Sequence, residues 1–156
     1  MDLPIENVQS YPRPPIVEPV SQRILVVLGS LEIVDTTRAL RVLETHHPPT
    51  YYIPPEDVKA HLRRLPQSTL CEWKGAATYF DVSAGTRTAR AAAWCYSRPT
   101  PAFQSLKDHL AFYPGKMDLC QVGSERVDPQ AGKFYGGWLT PNLRGMSKGA
   151  PGTEHW

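Results

Sequence analysis

The sequence predicts a single-domain, mainly β fold, either a half-open β-barrel or two curved antiparallel sheets, with two short helices. Three observations predict it. β-Branched and aromatic residues recur in short runs, tight turns separate these runs, and 16 prolines among 156 residues interrupt long helices. A chain of this length buries a core without needing disulfides or metal. We therefore expect one domain built from many short strands.

The first predicted hairpin consists of two β-branched runs. Residues 24–28 and 31–36 flank Gly29-Ser30, a pair suited to a tight turn. A longer hairpin is expected around the turn at residues 84–87. Its strands cover residues 76–83 and 88–96, and the remaining predicted strands cover residues 40–44, 50–53, 111–113 and 117–122.

Two short helices are predicted from the placement of proline and acidic residues. The segment 54–65 begins with Pro-Pro-Glu-Asp, which suits a first helical turn, and its apolar residues recur at helical spacing up to Pro66. The second helix is expected from Thr100, as the N-cap, to about His109, with Pro101 in its first turn.

The two ends of the chain differ in composition from its centre. Residues 1–22 contain five prolines and few large apolar side chains, so we expect an extended arm before a β domain at 23–122. Residues 123–156 are rich in glycine yet strongly aromatic, whereas disordered tails are poor in aromatics. We expect Trp138 and Trp156 to dock on the body, as a clasp or a lid, or on a second subunit in a homodimer.

Charge and composition argue against several classes of partner. A net charge of +2 with scattered basic residues does not predict nucleic-acid binding. No apolar run is long enough to cross a bilayer, and the N-terminal residues do not resemble a secretory signal. Three cysteines without close pairing suit a reducing compartment. We therefore expect a cytoplasmic protein with no nucleic-acid or membrane partner.

Motifs for metals and common cofactors are missing from the sequence. There is no close cysteine pair, no spaced array of histidines and carboxylates, no phosphate-binding loop and no dinucleotide fingerprint. We expect no metal and no cofactor. Cys71 is interpreted as a packed thiol, because no spacing among the histidines predicts a base beside it.

Glu44 is the first candidate site residue. Side chains two apart on a strand share a face, so Glu44 joins the apolar face of strand 40–44. A carboxylate there needs a partner, a rim position or a pocket. The same alternation places Trp94 and Tyr96 on one face, where they can form the wall of a cleft.

Lys74 is the second candidate, because it follows Trp73 and precedes a glycine at a strand entry. An ordered ammonium beside an indole suits an anionic ligand, and a nearby carboxylate can pair with it. For each aromatic residue, ordinary core packing is the alternative interpretation. The predicted site has Glu44, Asp57 and Lys74 as its polar residues and Tyr52, Trp73, Tyr79, Trp94 and Tyr96 as its walls.

Four motifs in order identify a family. They are Tyr51-Tyr52-Ile53-Pro54, Thr69-Leu70-Cys71 with Trp73-Lys74-Gly75-Ala76, Ala93-Trp94 with Tyr96, and Ala111-Phe112-Tyr113-Pro114. Over roughly residues 22–122 the chain resembles the domain family of unknown function numbered 427. The resemblance implies a compact, tent-like β fold, similar to zinc proteins such as methionine sulfoxide reductases of the B type. Those proteins have paired cysteines that this chain lacks, so neither zinc nor sulfoxide reduction is implied.

The family also has a nucleotidyltransferase-like label. Polymerase-type nucleotidyltransferases resemble one another in a Gly-Ser turn followed by two acids one residue apart, which hold the metal and triphosphate. Here Glu32 and Asp35 follow Gly29-Ser30, and they are three residues apart, a spacing that on a regular strand sends them to opposite faces. Nucleotidyl transfer is therefore the least favoured function.

The leading functional prediction is a small-molecule binding domain whose ligand is an anionic metabolite. In an enzymatic version Glu44 acts as acid or base and Lys74 holds the anionic group. Whether a reaction is catalysed stays open at this level. The rival class is a noncatalytic module that uses the proline-rich arm and the aromatic tail for self-association or partner binding.

Overall fold

The computed structural model describes residues 3–131, 135–150 and 153. The mainly β prediction is confirmed: the strands of these residues form several sheets, and no closed barrel is present among them. The strands are β1 Glu6–Asn7, β2 Ile16–Pro19, β3 Ile24–Leu28, β4 Leu31–Thr36, β5 Leu40–Leu43, β6 Thr50–Tyr52, β7 His61–Cys71, β8 Gly75–Ala84, β9 Arg87–Cys95, β10 Ala111–Phe112, β11 Leu119–Val122, β12 Glu125–Arg126, β13 Asp128–Pro129, β14 Trp138–Leu139 and β15 Leu143–Arg144. Four short 3-10 helices accompany them at Val8–Ser10, Pro55–Asp57, Pro101–Leu106 and Pro114–Lys116.

The first large sheet has the order β12-β11-β3-β4 and contains the predicted first hairpin. Alternate residues of β3, Ile24, Val26 and Leu28, are fully buried, as expected for a strand with one face on the core. Gly29 and Ser30 both adopt positive φ, at 60° and 65°, which gives the tight turn a twist that matches the strands. This hairpin prediction is confirmed.

The second large sheet has the order β10-β9-β8-β7 and contains the predicted long hairpin, β8 with β9. β7 is an edge strand of 11 residues whose side chains are largely exposed. Its pairing with β8 shifts register between Arg64 and Ser68, the interval that contains Pro66. Proline has no N–H for a ladder hydrogen bond, and edge strands tolerate it for this reason.

The predicted helix at 54–65 is wrong. Its first turn forms only as the 3-10 helix Pro55–Asp57, after which Val58 bridges Val34 and residues from His61 onward join β7. The proline and acidic signals therefore mark a real helical turn. Pairing with β8, a contact between distant residues, prevents the turn from continuing.

The second predicted helix, from Thr100 to about His109, is limited to the 3-10 helix Pro101–Leu106. Thr100 does not cap it with its side chain, because the Thr100 hydroxyl donates to the carbonyl of Trp73 at 2.6 Å. Phe103 inside this segment has non-helical angles, φ −120° and ψ 21°. No α-helix therefore forms here.

The third sheet, β2-β5-β6, brings the proline-rich arm onto the body. β2 belongs to the segment expected to be an extended arm, and it pairs antiparallel with β5 along its whole length. Arg41 of β5 joins two parts of the arm, since its guanidinium donates to Glu6 at 2.9 Å and to Glu18 at 2.6 Å. The arm is therefore part of the folded domain.

The C-terminal extension also packs on the body. Trp138 of β14 is 1% exposed, and its indole N–H donates to the carbonyl of Phe112 at 3.0 Å. Its ring lies 4.9 Å from that of Tyr51, centre to centre. Trp156, the other tryptophan expected to dock, lies outside the described residues.

Among the described residues, no helix has the length and apolar character needed to cross a membrane.

Candidate functional site

A cavity of about 490 Å³ opens between the third sheet, the second sheet and the C-terminal extension. Its volume lies within the range of small-molecule pockets. Val42 of β5 and Tyr52 of β6 form one side, and Tyr79 of β8 and Trp94 of β9 form another. The extension contributes Tyr135.

Seven of the eight residues predicted for the site line this one cavity. They come from distant parts of the sequence, and the sheets bring them together. The seven are Glu44, Tyr52, Trp73, Lys74, Tyr79, Trp94 and Tyr96.

Asp57 is the predicted residue that does not line the cavity. Its carboxylate accepts a hydrogen bond from the Thr36 hydroxyl at 2.7 Å and from the Arg38 guanidinium at 2.8 Å. Hydrogen bonds from Arg38, and then from Thr36, hold the pKa of Asp57 below its usual range. Because the predicted helix at 54–65 is replaced by a turn and a strand, this carboxylate stays beside β4.

The aromatic residues of the cavity pack against one another. The rings of Trp94 and Tyr113 lie 4.6 Å apart between centres, at 47°. Tyr52 is 1% exposed and contacts Trp94 edge-on at 6.4 Å and Tyr96 at 6.3 Å. Burial raises the pKa of both Tyr52 and Tyr96, so both phenols stay neutral at physiological pH. The aromatic side chains of the wall are therefore closely packed and uncharged.

Lys74 is a buried cation in this wall, with a residue exposure of 8%. Within the described part of the chain, no carboxylate lies within 4.0 Å of its ammonium, so the expected pairing with Glu44, Asp57 or Glu72 is not found. Its Nζ lies 5.9 Å from the ring centre of Tyr96. A cation–π contact of this kind compensates only part of the cost of burying an ammonium.

The position of Lys74 follows from the turn that joins β7 to β8. Gly75 has a φ of +111°, a conformation that favours glycine. Thr100 fixes the turn from outside, because its hydroxyl donates to the carbonyl of Trp73 and its backbone N–H donates to the carbonyl of Lys74 at 3.0 Å. The ammonium is thus attached to a backbone that is held at two adjacent carbonyls.

His47 lines the same cavity and is held by a buried glutamine. Gln130, 3% exposed, accepts from the N–H of Gly137 at 3.2 Å and donates to the carbonyl of Lys148 at 2.8 Å. These two bonds fix the orientation of the amide, so its Nε2 is also the donor to Nδ1 of His47 at 3.3 Å. The neutral imidazole therefore has its proton on Nε2.

The electrostatic environment of His47 is cationic. Burial is the largest cause that lowers the pKa of His47, and repulsion by Lys148, Lys74 and Arg13 follows; together they bring the pKa to about 4. All three cations line the cavity. At neutral pH the imidazole is uncharged and the side chains around it are positive.

The extension completes the cavity with residues that sequence reasoning did not identify. Lys148 has its Nζ 5.4 Å from the ring centre of Tyr135. Gly136 packs on the ring of Trp94 so closely that an added Cβ would lie 2.8 Å from Cζ3 and closer still to Cη2. The residues missed are Arg13, His47, Tyr113, Gln130, Tyr135 and Lys148. The dense aromatic and glycine content of the extension was a usable signal, whereas the role of Gln130 has no local signature.

Cys71 is half-buried and lines the cavity, while Cys95 and Cys120 are buried. Burial raises the pKa of Cys95 to about 11, so this thiol stays protonated. Among the described residues, no group of three or more His, Cys, Asp or Glu side chains is arranged to hold a metal ion. The polar chemistry of the cavity therefore lies in its cations, its two carboxylates, Glu44 and Glu72, and His47.

Comparison with known proteins identifies the class to which this domain belongs. The chain is a member of the family described as Domain of unknown function (DUF427), whose model matches residues 16–123. The predicted family and its approximate limits are thus confirmed, as is its nucleotidyltransferase-like label. No curated protein matches the chain. Gln130, Tyr135 and Lys148 lie beyond the matched residues.

The acidic residues considered for nucleotidyl transfer do not line the cavity. Glu32 is exposed on β4, and Asp35 pairs with Arg23 at 2.7 Å on the exposed face. Hydrogen bonding to Arg23 holds the pKa of Asp35 below its usual range. These two carboxylates are therefore outside the described pocket.

Proposed function

We propose that this domain binds a small anionic metabolite in the aromatic cavity. The proposal rests on Lys74, a residue that is 8% exposed, lines a cavity of about 490 Å³ and has no carboxylate within 4.0 Å of its ammonium among the described residues. A buried charge without a counterion is costly to the folded state. An anionic ligand supplies the missing counterion and stabilises the protein when it binds.

The walls indicate what the rest of the ligand is like. Trp73, Tyr79 and Tyr113 are half-buried, so parts of their rings face solvent or the cavity. Aromatic walls with a few polar groups favour a flat or apolar ligand body, with orientation set by the polar groups. The ligand therefore combines an anionic group with a body that packs on aromatic rings.

An enzymatic version of this function assigns Glu44 a second role. Glu44 directly follows β5, is half-buried and lines the same cavity as Lys74. A carboxylate in a pocket that also holds an anionic group is positioned to act as general acid or base. In that version Lys74 binds the anion and Glu44 exchanges a proton with the ligand body.

Thermal-shift measurements with a panel of anionic metabolites test the binding function. We expect at least one compound to raise the melting temperature of the parent protein and of Lys59→Met, an exposed lysine control. Lys74→Met keeps the length of the side chain but removes its charge, so the same compound should fail to stabilise it. The proposal is overturned if no anionic compound binds, or if Lys74→Met responds like the parent.

The alternative function is a noncatalytic module for self-association or protein interaction. One observation favours it: Leu70 is 80% exposed on the edge strand β7, where unpaired backbone groups can accept another strand. Against it, Trp138 already packs inside its own chain. Analytical ultracentrifugation of the parent and of Leu70→Asp tests this alternative by measuring the oligomeric state. An interface at β7 predicts that the parent is a dimer and that Leu70→Asp is a monomer.

A further inference from the structure

Among the described residues, three cations line the cavity, and they come from three separate parts of the chain. Arg13 belongs to the arm, Lys74 to the turn between β7 and β8, and Lys148 to the C-terminal extension. Among the described residues, none of the three has a carboxylate within 4.0 Å. The fold therefore brings together positive charges that it does not neutralise.

Five arginines outside the cavity each have a carboxylate partner. Carboxylates lie within 4.0 Å of Arg23, Arg38, Arg41, Arg63 and Arg87, all of which are outside the cavity. Half-buried Arg41 is paired with two carboxylates, those of Glu6 and Glu18. Carboxylates do occur in the cavity, at Glu44 and Glu72, yet neither reaches a cation. Lysines and arginines without a carboxylate within 4.0 Å also occur outside the cavity, but among the described residues these are all exposed, whereas Lys74 is buried and Lys148 is half-buried.

Both lysines face aromatic rings instead of acids. The Nζ of Lys74 is 5.9 Å from the ring centre of Tyr96, and that of Lys148 is 5.4 Å from the ring centre of Tyr135. His47 lines the same cavity, and its neutral imidazole has its proton on Nε2, since Gln130 donates to Nδ1. Two ammonium groups, a guanidinium and an imidazole N–H thus border one space, and all of them are donors.

We propose that the ligand is a phosphorylated ring compound whose phosphomonoester dianion is bound by Arg13, Lys74 and Lys148. This inference rests on the proposed anion-binding function and specifies its ligand class. A phosphomonoester has nearly two negative charges at pH 7 and three acceptor oxygens, which match several donors that line one cavity. A single carboxylate has one charge and leaves most of these donors without a partner. The ring of the ligand packs on the aromatic wall beside Trp94 and Tyr113.

Calorimetry with four matched probes tests the ligand class: 1-naphthyl phosphate, 1-naphthoate, 1-naphthol and inorganic phosphate, all at pH 7.5 and low salt. The first has the ring and the dianion, the second the ring and one charge, the third the ring alone and the fourth the anion alone. We expect 1-naphthyl phosphate to bind about tenfold or more tightly than each of the others, because each lacks one of the two recognised parts.

Variants show whether the three cations act together. Lys148→Gln removes the charge, while the backbone bonds of residue 148 to His46 and Gln130 stay available. We expect Lys148→Gln and Arg13→Gln each to weaken 1-naphthyl phosphate binding about tenfold, and exposed Lys107→Gln to leave it unchanged. Equal binding of 1-naphthoate and 1-naphthyl phosphate overturns the phosphate inference but keeps the anion-binding function. If neither anion binds, the phosphorylated-ring inference fails, and the thermal-shift panel of anionic metabolites decides whether the anion-binding function fails with it.

Discussion

The amide of Gln130 donates to Nδ1 of His47 across 3.3 Å, although 83 residues separate them in sequence. The same amide bonds to the backbone of Gly137 and Lys148. One buried side chain therefore connects the extension to the wall of the cavity and fixes the tautomer of the histidine. Stability and site geometry should both depend on it.

Gln130→Ala is expected to lower the free energy of unfolding by about 2 kcal/mol, because it leaves the Gly137 N–H and the Lys148 carbonyl without their partner. Urea denaturation measures the change. Gln67→Ala, on the exposed edge strand β7, is the control and should change stability by less than about 0.5 kcal/mol. Equal effects of the two substitutions would show that the amide of Gln130 is not a structural connection.

His47 should make the stability of the protein depend on pH. Its pKa is about 4 in the folded protein and about 6.5 when unfolded, so between these values the unfolded chain binds more protons. Stability is therefore lost as the pH falls through this window, by at most about 1.4 kcal/mol per pH unit. His47→Gln should flatten the slope of unfolding free energy between pH 4.5 and 6.5, whereas His61→Gln, at an exposed position, should not. An unchanged slope in His47→Gln contradicts the lowered pKa that burial and the neighbouring cations give His47.

Much of the fold follows from local sequence signals. The β3–β4 hairpin was predicted because Gly29-Ser30 suits a tight turn between β-branched runs, and the β8–β9 hairpin because a glycine-containing turn separates two small-residue strands. β7 was missed because its partner, β8, determines its conformation, while residues 54–65, which overlap the start of β7, combine helical spacing with an N-terminal helical signal. Thr100 was misassigned as a cap for a similar reason, because its hydroxyl donates a hydrogen bond to the carbonyl of Trp73, 27 residues away.

The site was predictable where it depends on strand alternation and on aromatic content. Glu44, Trp94 and Tyr96 were found in this way, and all three line the cavity. Arg13 and Lys148 were not found, because nothing in their local sequence indicates that the arm and the extension meet at the same cavity. Their convergence is a property of tertiary packing and cannot be read from spacing.

Asp57 should matter for stability and not for the ligand. Asp57→Ala removes the acceptor of the Thr36 hydroxyl and the partner of Arg38, so the urea midpoint should fall. The adjacent control Glu56→Ala removes only a 3.5 Å contact with Arg38 on the surface and should have little effect. Calorimetry with 1-naphthyl phosphate should give the parent affinity for both variants. A tenfold loss in Asp57→Ala alone would place this carboxylate back in the binding site.

Gly136→Ala tests whether the extension forms a fitted wall of the cavity. Its new Cβ would lie 2.8 Å from Cζ3 of Trp94, and that ring cannot retreat because it is buried against Tyr52 and Tyr113. The extension must therefore move away, which should cost about 1–3 kcal/mol and open the cavity to solvent. Gly115→Ala is the matched control, since its Cβ would make only ordinary contacts of 3.6 Å with Pro129. Acrylamide quenching of tryptophan fluorescence should increase in Gly136→Ala and not in the control, and its affinity for 1-naphthyl phosphate should fall. If quenching and affinity are the same in both variants, the extension packs on Trp94 without shaping the site.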